Sequence, residues 1–180
     1  MNTVQPIRDL EKIEEIKSIL LKKNYRDYFM FVFGINTGLR ISDILSLKVK
    51  DVKDKSHIII KEKKTKKNKR FPVNYTLKEE IEKYIKGMND EDYLFPSRKG
   101  DKPITRERAF VILDQAGKEV GIDDIGTHSL RKTFGYHFYQ RTKDVALLQD
   151  IFNHSAPSVT LRYIGINQDI IDKSLENFSL

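Results

Sequence analysis

Arg40, His128, Arg131, His154 and Tyr163 supply two guanidinium groups, two imidazoles and a phenol. Four of them lie in the last third of the chain. His128-Ser129-Leu130-Arg131 is followed by His154 and then, nine positions on, by Tyr163. This is a set of groups suited to attack on a phosphodiester. Guanidinium groups fork onto the non-bridging oxygens of a phosphate, imidazoles donate to them or move protons, and a phenol is an oxygen nucleophile once a base or a local field helps it ionise. Neither a metal nor a cofactor is required.

Each of these residues also has a plainer role open to it. Arg40 and Arg131 can be surface partners for carboxylates, His154 can cap the preceding helix, and Tyr163 can be a core aromatic in a chain with eight tyrosines. His57 and His137 sit in no motif and read as structural. No pair of histidines has the spacing of metal ligands, so no metal site is expected even with Asp43 or Asp144 nearby.

The groups can act together only if rigid elements aim them. Asp9 is placed to cap an amphipathic helix from Leu10 to about Lys23, with Leu10, Ile13, Ile16 and Leu20 as its apolar positions. The run Tyr25–Asn36 is apolar on nearly every side and stops at Gly38, a residue type suited to a left-handed helix end. Arg40 then opens a short helix, Ile41–Leu47. Short strands are expected at Asp51–Lys53, His57–Lys61 and Arg70–Val73. Thr76 with Glu79 reads as a capping box for a helix carrying Leu77, Ile81, Tyr84, Ile85 and Met88. A polar loop, Asn89–Pro103, holds Tyr93-Leu94-Phe95-Pro96-Ser97.

Thr105 is placed to cap a helix carrying Phe110, Leu113, Ala116 and Val120, which stops at Gly121. Thr127 suits the cap of a helix from His128 to about Arg141, which puts His128 and Arg131 on one face beside anion-favouring N–H groups. Asp144 suits the cap of Val145–Phe152. Pro157 opens a helix that carries Tyr163, and Asn167 opens a last one, from Gln168 to about Phe178. The expected fold is mainly α with a small antiparallel three-stranded β-sheet (α+β).

The length of 180 residues fits one domain, 1–180, large enough to close a core. A mean hydropathy of −0.52 fits a water-soluble protein. With no cysteine, disulfide frameworks and thiolate metal sites are excluded. The most apolar run, Tyr28–Ile35, is far shorter than the ~20 residues of a membrane span, and the start lacks a signal-peptide layout, so a cytoplasmic location is expected.

The net charge of +7 is concentrated. Lys61 to Arg70 (KEKKTKKNKR) carries seven basic residues and one acidic, which leaves 26 basic against 25 acidic residues elsewhere. Such a block attracts a polyanion through counterion release, which favours nucleic acid as partner; a solvated charge run describes the same composition equally well.

Five segments together resemble the catalytic domain of the tyrosine recombinase (phage integrase) family. They are TGLRISDILSL (Thr37–Leu47), KTKKNKRFPV (Lys64–Val73), YLFPS (Tyr93–Ser97), THSLRKTF (Thr127–Phe134) and NHSAPSVTLRY (Asn153–Tyr163). The resemblance runs from about Ile7 to the C-terminus. It implies a DNA-cutting and rejoining enzyme acting on double-stranded DNA through a 3′-phosphotyrosyl intermediate, as a homo-oligomer assembled on DNA. Tyr163 would attack the phosphate, with Arg40, Arg131 and His154 holding its developing charge. His128 would assist proton transfer, and Asp43 would brace the arginines.

Lys64, eight residues before Pro72, would protonate the 5′-oxygen, with Lys63 and Lys66 as alternatives of neighbouring register. Lys61, Lys63, Lys66, Lys67, Lys69 and Arg70 would grip the duplex. Two departures from the family stand out. Asn153 replaces the usual glycine, although Asn also tolerates positive φ. The 180 residues hold no counterpart of the family's separate N-terminal helical, core-binding domain, so the expectation is either an excised domain or a short single-domain integrase, and the start at Met1 without a tag-like stretch favours the second. A type IB topoisomerase shares the chemistry, and a binding-only relic or regulator of recombination would retain the basic block.

Overall fold

The computed structural model describes residues 4–62 and 66–179. Their elements run α1 (Leu10–Lys23), α2 (Tyr25–Thr37), α3 (Ile41–Ile44), α4 (Val49–Val52), β1 (His57–Lys61), β2 (Asn68–Pro72), α5 (Tyr75–Tyr84), α6 (Arg106–Glu119), α7 (Thr127–Thr142), α8 (Val145–Phe152), α9 (Pro157–Tyr163) and α10 (Ile166–Leu175).

The centre of the fold is α2. Phe29, Met30, Phe31 and Phe33 on it are fully buried, which no amphipathic surface helix achieves. Each such side chain contributes roughly 1.5–3 kcal/mol on burial. Helix α2 packs against α1, α5 and α7. The polar loop contributes to the same core, because Leu94 and Phe95 are fully buried and the Tyr84 hydroxyl donates to the Leu94 carbonyl at 2.7 Å. A second apolar cluster, built on Leu148, Phe152, Ile164 and Ile166, lies under the C-terminal helices.

Among the described residues the sheet has two strands, in antiparallel register from His57 opposite Pro72 to Lys61 opposite Asn68. The third expected strand, Asp51–Lys53, is instead the end of the short helix α4. Val49 and Val52, three apart, are both buried, and the Asp51 carboxylate accepts from the Lys48 N–H at 2.8 Å; both are helical relationships.

The caps explain smaller differences. Asp9, Thr105 and Asp144 cap α1, α6 and α8 as expected, and Pro157 opens α9. Helix α5 is capped by Asn74, whose side chain accepts from Leu77 N at 2.8 Å, so it begins before Thr76 and the Thr76–Glu79 box is not used. Gly126 occupies the cap position of α7, and Thr127 is already helical. Gly165, at φ 82°, reverses the chain early enough for α10 to start at Ile166, ahead of Asn167. Asn153 adopts φ 55°, the left-handed conformation its residue type tolerates.

Candidate active site

Arg131 rises from the first turn of α7 and is 4% exposed. Its guanidinium is fixed on two sides by carbonyls: Nη1 donates to Gly38 O at 2.7 Å and Nη2 to Phe152 O at 2.8 Å. It also lies over the Phe152 ring, 4.1 Å from the centroid. Gly38 must be glycine here. It ends α2 at φ 63°, and a Cβ would meet Phe134 at 2.4 Å. The buried end of α2 thus presents the carbonyl that aims Arg131. Burial lowers the Arg131 pKa to about 10, opposed by Tyr163, Glu62 and Asp43, so the group is cationic at neutral pH.

Arg40 stands at the start of α3 in an extended conformation. Its Nη1 lies 2.8 Å from Glu62 Oε1, a charge contact whose angle falls outside hydrogen-bond geometry. Glu62 is 1% exposed and follows β1 directly. Lys69, on β2, approaches the same carboxylate at 3.4 Å and donates to the Ile151 carbonyl. Burial pushes the Lys69 pKa down; Glu62 works against this and the two arginines reinforce it. Asp43, fully enclosed on α3, adds negative charge felt by Arg131.

Tyr163 closes the cluster from the end of α9. Its ring meets the His154 ring edge-on, with centroids 5.2 Å apart, and the Phe152 ring at 5.6 Å. His154 is held by an Nδ1 contact of 2.9 Å to the buried Thr160 hydroxyl. Burial raises the Tyr163 pKa, whereas Arg131 and Arg40 favour the phenolate. The phenol is therefore protonated at rest, with two cations placed to accept its ionisation. His128 is exposed on α7, yet desolvation and then Arg106, Lys132, Arg131 and Arg40 depress its pKa. Its neutral form, able to take a proton, prevails at neutral pH.

The structure thus gathers Arg40, Arg131, His154 and Tyr163, encloses Asp43 beside them and leaves His128 at the rim. Lys63 and Lys64 lie outside the described residues. Lys61, Lys66, Lys67 and Arg70 are exposed, with Lys67 Nζ 3.3 Å from Asn153 Oδ1, whereas Lys69 turns inward. His137 joins the Ile7 carbonyl at 2.8 Å and His57 neighbours Ser56 and Arg70 on the hairpin, both away from the cluster.

Glu62 is hidden in the sequence by the lysines around it. Strand alternation reveals it, since Ile58, Ile60 and Glu62 share the inward face and all three are buried. The carbonyls of Gly38 and Phe152 have no sequence signal. Two guanidiniums and an imidazole beside a phenol are groups that can hold a tetrahedral anion next to an oxygen able to attack it.

Residues 9–169 match the phage integrase family, and the chain belongs to that family. A probable integrase/recombinase, YoeC, of Bacillus subtilis (strain 168) is 59% identical over 169 residues, covering 94% of this chain and 93% of that protein. In fold, the chain resembles the crystal structure of XerA recombinase, with a TM-score of 0.76 and 19% identity over 99% of this chain and 66% of that one. It also resembles XerH site-specific recombinase bound to a palindromic difH substrate in a post-cleavage complex, with a TM-score of 0.71 and 20% identity over 98% of this chain and 54% of that one. The chain therefore spans nearly the whole Bacillus relative but about half to two thirds of the solved chains.

Proposed function

We propose that this protein cuts and rejoins double-stranded DNA at specific sites through a 3′-phosphotyrosyl link to Tyr163. The observation that carries the reading is the enclosure of the Tyr163 phenol against Arg131 and Arg40, with His154 packed on its ring. The membership of the phage integrase family and the likeness to a DNA-bound recombinase support it.

In the forward step the Tyr163 oxygen bonds to phosphorus, and the bond from phosphorus to the 5′-oxygen breaks. His128, neutral at rest, accepts the phenol proton, and Lys64 gives a proton to the departing oxygen. Arg40, Arg131 and His154 hold the non-bridging oxygens as their charge grows. One phosphodiester is exchanged for another, so the reverse steps reseal DNA with no energy source or cofactor. The exposed lysines of the hairpin, with Lys63, and Arg70 hold the backbone of the duplex.

Helix α10 bears on assembly. Ile170, Ile171, Leu175 and Phe178 are all exposed, and a second copy bound to the same DNA would cover them in a synaptic complex. A nicked substrate that loses a short 5′-fragment after cleavage tests the enzymatic reading. Accumulation of a protein–DNA adduct that survives denaturant supports it; binding without adduct would leave a DNA-binding module only.

A further inference from the structure

The segment before α1 is fastened to α7 on one side and, on the other, to the turn and first residues of α10 that follow Tyr163. On one side it follows α7: Ile7 N donates to Thr133 Oγ1 at 2.9 Å, and Lys132 Nζ donates to Val4 O at 2.8 Å. Ile7 is 2% exposed, so its side chain anchors the segment in the core. The same Lys132 ammonium lies over the Tyr163 ring, 5.1 Å from its centroid. On the other side Arg8 reaches across to the turn between α9 and α10. Its Nε donates to Asp169 Oδ1 at 2.9 Å, Nη2 stands 2.8 Å from the same oxygen, and Nη2 donates to Gly165 O at 3.4 Å.

The turn leaves room for this contact. Gly165 lies two residues after Tyr163, and a Cβ on it would meet Arg8 Nη2 at 2.6 Å. The Arg8 guanidinium also lies over the Tyr136 ring of α7, at 5.4 Å, which fixes its approach. Helix α9 has only seven residues, and α10 beyond the turn exposes most of its apolar side chains. Ile164 and Ile166 bury the start of the turn in the second apolar cluster, and Arg8 adds a polar tie on its outer side.

We propose that the segment Val4–Arg8 is a strap that positions the nucleophile, with Arg8 as its positioning residue. Arg8 holds the turn that follows Tyr163, and Val4, through Lys132, holds the face of the Tyr163 ring. The strap thereby sets the distance between the phenol and the arginine cradle. This inference rests on Tyr163 being the nucleophile.

The test measures single-turnover adduct formation on the nicked substrate, DNA affinity and melting temperature for the wild type, Arg8→Ala and Arg8→Lys. Loss of positioning predicts that Arg8→Ala forms adduct about ten- to a hundredfold more slowly, in line with the cost of a displacement of about 1 Å. Affinity and melting temperature stay near wild type, and Arg8→Lys, which keeps one charged donor, recovers part of the rate. Wild-type rates in Arg8→Ala would overturn the strap. So would a fall in affinity matching the fall in rate, which would make Arg8 a DNA contact. Absence of adduct from the wild type would overturn the nucleophile reading itself, and the strap with it.

Discussion

Glu62 Oε1 lies 2.8 Å from Arg40 Nη1, and the carboxylate is 1% exposed although it sits in the most basic stretch of the chain. One carboxylate thereby serves two cations, Arg40 and Lys69, at the wall of the proposed phosphate cradle. Glu62→Gln should unfold more easily, by about 3 kcal/mol, the lower end of the cost of orphaning a buried charge, because Arg40 and Lys69 keep some access to water. Adduct formation should slow with little loss of DNA affinity. Denaturant titration and single-turnover cleavage check the two parts; unchanged stability would mean that the ion pair is incidental.

The directions of the pKa shifts predict a pH profile. The proton on His128 is disfavoured by desolvation and four cations, so the cleavage rate should rise as pH increases through a value below 6.5. It should then level off, and fall again near pH 10 as Arg131 loses its charge. His128→Ala should lower the plateau and abolish the acidic limb. Persistence of that limb in the variant would assign it to another group.

Lys64→Ala should cleave poorly but recover on a substrate whose bridging 5′-oxygen is sulfur, since a thiolate departs without a proton. Arg40→Ala should not recover. Lys66→Ala and Lys69→Ala provide the controls, and rescue of either in place of Lys64→Ala would move the acid to that residue. Lys69 merits the comparison because burial already depresses its pKa beside both arginines.

Replacing the exposed Lys61, Lys66 and Lys67 by Ala should flatten the dependence of log affinity on log salt by about 0.9 for each phosphate that is no longer neutralised. The change should be equal on specific and random DNA. An identical slope would mean that these side chains remain solvated in the complex.

Truncation after Asp169 should leave a folded protein, because Ile166 stays in the second apolar cluster and Arg8 keeps its ion pair. Such a protein should cleave a half-site but fail to complete strand exchange between two full sites. Monomeric behaviour of the intact protein on a two-site DNA, with unfolding of the truncated one, would instead show that α10 serves its own domain.

Much of this site is legible from residue type and spacing. Arg40, Arg131, His154 and Tyr163 stand in motifs whose local helices are set by short-range rules such as the Asp144 cap and the Pro157 start. What escapes the sequence is long-range. The Gly38 carbonyl that aims Arg131 lies 93 positions away, and any residue type carries a carbonyl. The third strand fails because Val49 and Val52 satisfy a helical repeat as well as a strand's composition, and the Asp51 cap decides for the helix. Glu62 is masked by its neighbours' charge, although period two along β1 points it inward.

Mass spectrometry of the denaturant-stable adduct, trapped on the nicked substrate and digested, tests the proposed chemistry most directly. The modified peptide should carry a nucleotide 3′-phosphate on Tyr163, and Tyr163→Phe should bind the same DNA with unchanged affinity and give no adduct. A covalent band from Tyr163→Phe, or a phosphoryl link mapped to any other side chain, would contradict the assignment of Tyr163 as the nucleophile.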